Sequence, residues 1–420
     1  MESERITQIR LWGRTAGYAW WDRKEQCAVF QYDPEFIKKG YDIAPLTMPL
    51  TSRPYRFGSL ARETFQGLPG TLSDSLPDSY GNALIDLWIA ENNYRKADLT
   101  PLDRLCYVGK RGIGALEYEP AAGRSYNGRI DVNKLSALAA DVLCKREEMD
   151  LYLTRDGLQE LLSVGTSAGG ARAKAVIGVN GAGEIHSGQT DLPDGYSHWL
   201  IKFDAESDGP EKKEYCRTEY AYYEMARDCE IEMTECRLLE IDTKAHFMTR
   251  RFDRIGNEKI HSQTLCAMAH YDFKVPGAYP YESMLSIMRR LRMPYPDQEQ
   301  AFRRMVFNVV MRNQDDHTKN FSFLLRENGG WRLSPAYDIT YAFDPTNYWT
   351  QRHQMSVNGK LLDITRKDLT EFAQNMNIKN AEDIIDATVS AALEWRSYAR
   401  SSGVPERTAE KIDKVLLKGI

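Results

Sequence analysis

The sequence contains no pair of cysteines at the Cys-x-x-Cys spacing that zinc sites and redox motifs use. Its seven cysteines are scattered along the chain, and their odd number argues against a framework of disulfide bonds. We therefore expect reduced thiols in the core of a cytoplasmic protein.

Long hydrophobic runs are also missing. Every apolar stretch is far shorter than the roughly 20 residues that a membrane-spanning helix needs. The chain begins with Met-Glu-Ser-Glu-Arg, which is unlike an apolar signal region. An excess of positive charge is absent as well, since the net charge is −5 and the pI about 5.9. These features predict a protein without a membrane anchor and argue against autonomous binding to nucleic acid.

The 420 residues fall into three segments with different patterns. Residues 1–125 combine strand-like stretches with a helical pattern at 77–93, and a run of small and turn residues follows. Residues 126–252 begin with a helical pattern at 131–148 and then become rich in strands. Residues 253–420 are mainly helical, with a long helix predicted at 380–400. We predict an α+β, bilobal, protein-kinase-like fold, in which a β-rich N-terminal subdomain precedes a small ATP-binding lobe and a helical C-terminal lobe.

The most informative motif is Asn-Gln-Asp-Asp-His-Thr-Lys-Asn at residues 313–320, which Asp338 follows eighteen positions later. Asp315 and Asn320 have the spacing of the base and the metal-binding Asn in a protein-kinase catalytic loop. Between them and Asp338, the turn Glu-Asn-Gly-Gly joins two short strands and predicts a hairpin that returns the chain. We interpret Asp315 as the catalytic base, and Asn320 with Asp338 as Mg²⁺ ligands.

Two neighbours in this loop have other interpretations. His317 suits a scaffold that ties the loop by hydrogen bonds, with direct catalysis as the alternative, and Asp316 is expected to be a solvated neighbour. The alternative hypothesis for this motif is a metal phosphohydrolase that uses the Asp-Asp-His run. Such sites need further ligands, and the other six histidines show no metal-ligand spacing.

A loop that could cover ATP phosphates precedes this motif. The run Gly-Thr-Ser-Ala-Gly-Gly at residues 165–170 lacks the Lys-Ser/Thr of a Walker A loop, but two adjacent glycines permit close approach of its backbone amides. The predicted phosphate contacts in this loop are Thr166, Ser167, Ala168, Gly169 and Gly170. Alone, this pattern is also typical of ordinary strand-entry turns.

Basic residues follow the loop. Lys202 lies in the apolar strand Trp-Leu-Ile-Lys-Phe, and is either a surface residue of an edge strand or an inward lysine that contacts ATP phosphates. Glu219 is its candidate partner by order in the chain, and Lys174 is a second basic candidate. Arg250, Arg251 and Phe252 end the small lobe, where a hinge would read adenine mainly through its backbone.

These residues make the chain resemble the HipA-type Ser/Thr kinases of bacterial toxin–antitoxin systems, over about residues 8–400. The resemblance rests on Leu-Pro-Asp at 76–78, Gly-Ile-Gly-Ala-Leu at 112–116, the glycine loop through residue 174, Arg-Phe-Asp-Arg at 251–254, and the segments that end at residues 320 and 338. Together these motifs are highly specific.

The resemblance implies a two-domain kinase that uses ATP and Mg²⁺. It assigns the base to Asp315, the Mg²⁺ ligands to Asn320 and Asp338, and a phosphate contact to Lys202. It also implies that Ser167 is autophosphorylated, which ejects the glycine loop and switches the enzyme off.

The resemblance also implies partners. Known members phosphorylate an aminoacyl-tRNA synthetase, so a protein substrate in translation is expected. A small helix-turn-helix antitoxin, HipB-like, binds such kinases and their shared operator, so contact with DNA is expected only through the antitoxin.

Two departures place the chain in a divergent branch. Arg250 stands where a Glu often precedes Arg-Phe-Asp-Arg, and residues 261–264 lack an acidic pair common in the family. The identities of the substrate and antitoxin therefore do not carry over. Two alternatives stay open, namely a non-catalytic co-repressor with a decayed kinase fold and a kinase for small molecules.

Overall fold

A computed structural model of the chain describes residues 5–77, 81–82, 84–86, 89, 99–122, 129–132, 135, 173–204, 215–241 and 244–420. The predicted glycine loop at 165–170 lies outside the described residues. So do most of the predicted helix at 131–148 and part of the one at 77–93.

The N-terminal subdomain is built on an antiparallel sheet with the strand order β4-β3-β2-β1-β5. Its strands are β1 (Ile6–Leu11), β2 (Arg14–Asp22), β3 (Cys27–Tyr32), β4 (Tyr55–Arg56) and β5 (Leu116–Glu119). Its described helices include α1 (Pro34–Lys39), α2 (Arg62–Phe65), α3 (Gly70–Ser73) and α4 (Pro101–Val108). Alternate residues of β1 turn inward, so Ile9 and Leu11 join Phe30 of β3 and Leu105 of α4 in one core.

A second antiparallel sheet forms the small lobe, with the strand order β7-β6-β8-β10-β9. Its elements are β6 (Lys174–Asn180), β7 (Ile185–Ser187), β8 (Tyr196–Lys202), α5 (Tyr215–Asp228), β9 (Cys236–Ile241) and β10 (Lys244–Arg250). Ile177, Trp199 and Ile201 belong to one apolar cluster, whereas Phe247 packs with Tyr223 of α5 in another. Both clusters are buried, as expected of a sheet with apolar residues on both faces.

The large lobe begins with a hairpin of β11 (Arg254–Ile255) and β12 (Glu258–Lys259), and a sheet of β13 (His261–Thr264), β14 (Ser322–Leu325) and β15 (Trp331–Leu333) follows. The helices are α6 (Leu265–Ala269), α7 (Tyr281–Arg290), α8 (Tyr295–Val310), α9 (Arg366–Asn375), α10 (Ala381–Leu393), α11 (Trp395–Ser401) and α12 (Glu406–Asp413). The predicted hairpin around β14 and β15 is present. The single helix predicted at 380–400 is wrong, because the chain divides into α10 and α11 at Glu394.

Close backbone contact fixes the N-terminal subdomain on the large lobe. A Cβ atom at Gly70 would lie 2.3 Å from the carbonyl oxygen of Ala267, so this approach of α3 to α6 requires glycine. The Gly70 N–H donates to His270 Nε2 at 3.0 Å. Nearby, Asp74 accepts from the N–H and hydroxyl of Thr264 at 2.7 and 2.9 Å.

A buried ion cluster makes the second junction between the N-terminal subdomain and the rest of the chain. Asp253 accepts from Arg251 at 2.7 and 2.9 Å, from Arg254 at 2.8 Å and from the Gly114 N–H at 2.7 Å. Burial opposes ionisation, but the two guanidinium groups hold the pKa of Asp253 well below its usual range. Both arginines also donate to the carbonyl of Gly112. Two of the motifs named above therefore meet in one cluster.

Two expectations from composition concern membrane-spanning helices and cysteines. Every helix among the described residues is too short or too polar to span a bilayer. The described cysteines have free, buried thiols, as expected, while Cys144 lies outside this part of the chain.

We expect the stability of the fold to decrease as the pH is lowered from about 6.5 to 4. Burial lowers the pKa of four histidines to about 4, namely His198, His246, His261 and His270. The unfolded chain binds protons at these rings near pH 6.5, whereas the folded chain does not, so acid favours unfolding. Melting temperatures measured by circular dichroism from pH 8 to 5 check this. An unchanged melting temperature over that range would contradict it.

Candidate functional site

The site is organised around Lys202 at the end of β8. Its buried Nζ donates to Glu219 Oε1 of α5 at 2.5 Å and also to Asp338 Oδ1. Burial works against the charged amine, but the two carboxylates raise the pKa of Lys202 above its ordinary value. Since β8 lies between β6 and β10, the alternative of an edge-strand surface residue is wrong.

A second lysine stands beside the first. Lys174 of β6 is directly opposite Lys202 in the register of the sheet, and it is also buried. Like charges at opposed positions repel each other unless an anion compensates them. Although burial opposes its ionisation, Asp338 has a pKa below its usual value because of these two lysines. Two ammonium groups therefore surround one carboxylate.

The segment before Asp338 is held in a fixed path. The Tyr337 hydroxyl lies 2.6 Å from both the Lys319 carbonyl and the Ser322 hydroxyl, and its ring lies 5.5 Å from that of Phe252. Asp338 itself has a φ of +53°, in the left-handed region that non-glycine residues seldom adopt. Such backbone strain persists only where the surroundings enforce it, and it is commonly found at functional sites.

Asp315 and Asn320 lie in one hydrogen-bonded loop after α8. Asn320 Nδ2 donates to the Asp315 carbonyl at 2.7 Å, which leaves Asn320 Oδ1 as the oxygen for a ligand. The Asp315 carboxylate is half exposed and lies 3.8 Å from His317 Nε2. Partial burial raises the pKa of the Asp315 carboxyl above its ordinary value. The nearby His317 lowers this pKa, whereas the negative charge of Asp338 raises it further.

His317 lies beside the carboxylates of Asp315 and Asp338. Its ring packs edge-to-face on Phe273 at 5.2 Å, and its Nδ1 is buried without a hydrogen-bond partner among the described residues. Among the described residues the ring makes no hydrogen bond of the kind that the scaffold interpretation expects, and the choice between scaffold and catalyst stays a prediction.

The expectation that Asp316 is solvated is wrong. Its carboxylate is buried and accepts from the Tyr281 hydroxyl at 2.6 Å, the Gln354 N–H at 2.7 Å and His353 Nδ1 at 2.9 Å. The adjacent Asp315 reaches solvent, so the two neighbouring aspartates lie in opposite environments. Asp316 anchors the loop at 313–320 to other parts of the large lobe, and nothing in the local sequence distinguishes it from Asp315.

The hinge comprises residues 250–252, and its backbone is the predicted adenine contact. The Arg251 guanidinium is committed to Asp253, and its backbone N–H donates to the His198 carbonyl at 2.9 Å. The Arg250 N–H donates to the carbonyl of Glu235 at 2.8 Å. A nucleotide contact from Arg251 is therefore confined to its backbone carbonyl, and the predicted roles of Arg250 and Phe252 stay predictions.

The residues that the structure gathers fit Mg²⁺ and a nucleotide. Lys174, Lys202, Asp315 and His317 all interact electrostatically with Asp338 or adjoin it. Among the described residues, no group of three His, Cys, Asp or Glu side chains could hold a metal alone. Mg²⁺ is usually held by one or two such oxygens together with phosphates and water, which is what Asp338 and Asn320 can supply. The contacts predicted for Thr166 to Gly170 lie outside the described residues.

Family models match two parts of the chain. Residues 7–119 match the HipA N-terminal domain, and residues 166–396 match the HipA-like C-terminal domain. The second match alone covers more than half of the 420 residues.

A solved structure shares the fold. HipA of Shewanella oneidensis MR-1, in the complex of its toxin–antitoxin system with HipB and operator DNA, superposes with a TM-score of 0.67 at 15% identity. The match covers 98% of this chain and 96% of that one. The predicted α+β, bilobal, HipA-like fold is confirmed. The Helicobacter pylori proinflammatory kinase CtkA matches 53% of this chain and 88% of its own at 12% identity, and its TM-score of 0.34 is too low to establish a shared fold.

We expect Asp316→Ala to destabilise the protein by about 3 kcal/mol or more, because it leaves three buried donors without their acceptor. Asp315→Ala is the matched control, and we expect a change of about 1 kcal/mol or less for this half-exposed neighbour. Urea unfolding of both variants measures the difference. Equal unfolding midpoints would show that the Asp316 contacts do not hold the loop.

Proposed function

The chain belongs to the HipA family, and on that premise we propose that it is an Mg-ATP-dependent serine/threonine protein kinase that acts as the toxin of a toxin–antitoxin system. The observation that carries the proposal is the buried ammonium of Lys202, shared by Glu219 and Asp338. A strand lysine paired with a helix glutamate, close to a metal-binding aspartate, is the phosphate-binding arrangement of protein kinases.

Asp315 is the proposed base. Its half-exposed carboxylate can accept a hydrogen bond from a serine or threonine hydroxyl of the substrate. As the hydroxyl oxygen bonds to the γ-phosphorus and the bond to the departing ADP breaks, the hydroxyl proton passes to Asp315. The raised pKa of this carboxyl suits proton acceptance, and the hydrogen bond from Asn320 to its carbonyl holds the loop in place.

The remaining residues stabilise charge. Bound Mg²⁺ would neutralise negative charge on the phosphates. Asp338 and Asn320 would be its protein ligands, while Lys202 and Lys174 would hold phosphate oxygens. Lys202 is paired with Asp338 in the described structure, so a Mg²⁺ ion held by Asp338 and phosphates held by Lys202 would replace this contact.

Partners and regulation follow from the same proposal. We propose a protein substrate in translation, of the aminoacyl-tRNA synthetase class, and a small helix-turn-helix, HipB-like antitoxin through which the kinase contacts DNA in the cytoplasm. The complex of Shewanella HipA with HipB and operator DNA supports the class of antitoxin. Autophosphorylation of Ser167 is the proposed means of inactivation.

The kinase activity is tested with γ-³²P-ATP and Mg²⁺, using the wild type, Asp315→Ala and Ser167→Ala, each with and without a ribosome-free cell extract. We expect the wild type to label itself and one extract protein. Asp315→Ala should lose all transfer, because no carboxylate orients the hydroxyl. Ser167→Ala should lose only the label on itself.

Calorimetric titration of each variant with ATP is the control, and comparable affinities show that the nucleotide site is intact. If the folded, ATP-binding wild type labels nothing, the kinase proposal is wrong and the co-repressor alternative gains support. Label that appears only on small solutes of the extract would indicate a small-molecule kinase. Undiminished transfer by Asp315→Ala would remove the role of that residue.

A further inference from the structure

An open cleft of ≈ 830 Å³ lies at the hinge, on a surface that none of Lys202, Asp315, Asn320 and Asp338 lines. Its lining includes the hinge residues 250–252, Arg254, Arg326, Gly329, Gly330 and Arg332. Its walls come from the end of the small lobe on one side and from the β14–β15 hairpin on the other. The cleft therefore shares the hinge residues 250–252 with the proposed ATP site but none of its proposed phosphate-binding, metal-binding or base residues, and it spans the connection between the lobes.

The rim on the large-lobe side is held in place. Glu327, in the turn of the β14–β15 hairpin, accepts from Arg14 Nη1 at 2.6 Å and from the Tyr41 hydroxyl at 3.1 Å. Both donors belong to the N-terminal subdomain. The adjacent Gly329 and Gly330 carry no side chain, so a ligand backbone can approach this wall closely.

Five arginines and one glutamate line the cleft, which gives it a marked excess of positive charge. Arg251 and Arg254 share the single carboxylate of Asp253, so this buried cluster carries an uncompensated charge. Burial, with a smaller contribution from the neighbouring Arg251, lowers the pKa of Arg254 to about 10, although Asp253 and Glu117 act in the opposite direction.

The exposed arginines extend this charge to both walls. Arg250 and Arg326 are exposed, and neither forms a salt bridge within the described part of the chain. The charge of Arg332 is largely compensated, because its guanidinium makes a bidentate contact with the Asp297 carboxylate. Among the residues that the structure describes, one guanidinium without a salt bridge therefore stands on each lobe, and both line the same cleft.

We propose that this cleft binds an extended acidic segment of a partner protein, which would bridge the two lobes. Charge complementarity favours a carboxylate-rich ligand. The apolar lining from Phe252, Leu333 and Pro335 suits a polypeptide with some hydrophobic side chains. Two free arginines are few for a nucleic-acid backbone, and the net charge of −5 disfavours a polyanion of high charge density.

The test uses fluorescein-labelled hexaglutamate and fluorescence anisotropy at low salt. We expect the double variant Arg250→Glu/Arg326→Glu to bind the peptide at least about tenfold more weakly than the wild type. Arg53→Glu reverses an exposed arginine outside the cleft and should bind like the wild type. Melting temperatures of both variants show whether they remain folded. The assay measures binding alone, so its outcome is independent of kinase activity.

Three outcomes overturn the proposal. The first is that the wild type does not bind hexaglutamate, and the second is that the double variant and Arg53→Glu bind it equally. The third is that a DNA duplex or inorganic phosphate binds more tightly than hexaglutamate with the same dependence on Arg250 and Arg326. That result would assign the cleft to phosphate recognition.

Discussion

The pairing of the buried ammonium group of Lys202 is the interaction on which the arrangement of the small and large lobes depends. A buried charge is costly unless it is paired, and removing one partner of a buried pair costs about 3–5 kcal/mol. Here the pairing draws together β8, α5 through Glu219, and the large-lobe segment that ends at Asp338. One cation thereby sets the position of both lobes around the place where phosphates would lie.

The same rule explains how the other parts of the chain are joined. Asp253 binds Arg251 and the N-terminal subdomain at the hinge, and Asp316 joins the loop at 313–320 to the segment that follows Asp338. Each of these carboxylates is buried and accepts hydrogen bonds from a distant part of the sequence, Asp253 from Gly114 and Asp316 from Tyr281, His353 and Gln354. The N-terminal subdomain is therefore attached to the hinge through specific charges as well as through apolar packing, and it also supports one wall of the arginine-lined cleft.

Much of this arrangement could be predicted from the sequence because it is local. The spacing of Asp315 and Asn320, and the hairpin that returns Asp338, depend on residues within one short segment, and the main strands and helices follow from alternation and amphipathic periodicity. The burial of Asp316 could not be predicted, since its partners come from distant positions and its neighbour is also an aspartate. The burial of the Arg251–Asp253 pair could not be predicted either, because Gly112 and Gly114 of the N-terminal subdomain complete that cluster from distant positions.

We propose that Asp338 would leave Lys202 and serve as a magnesium ligand when nucleotide binds. Isothermal titration with a non-hydrolysable ATP analogue, with and without Mg²⁺, tests this role directly on the wild type and on Asp338→Asn. We expect Mg²⁺ to strengthen binding to the wild type and to have little effect on the variant, while both remain folded. An equal gain from Mg²⁺ in the two proteins would contradict the proposed role of Asp338, because the ion would then be held without this carboxylate.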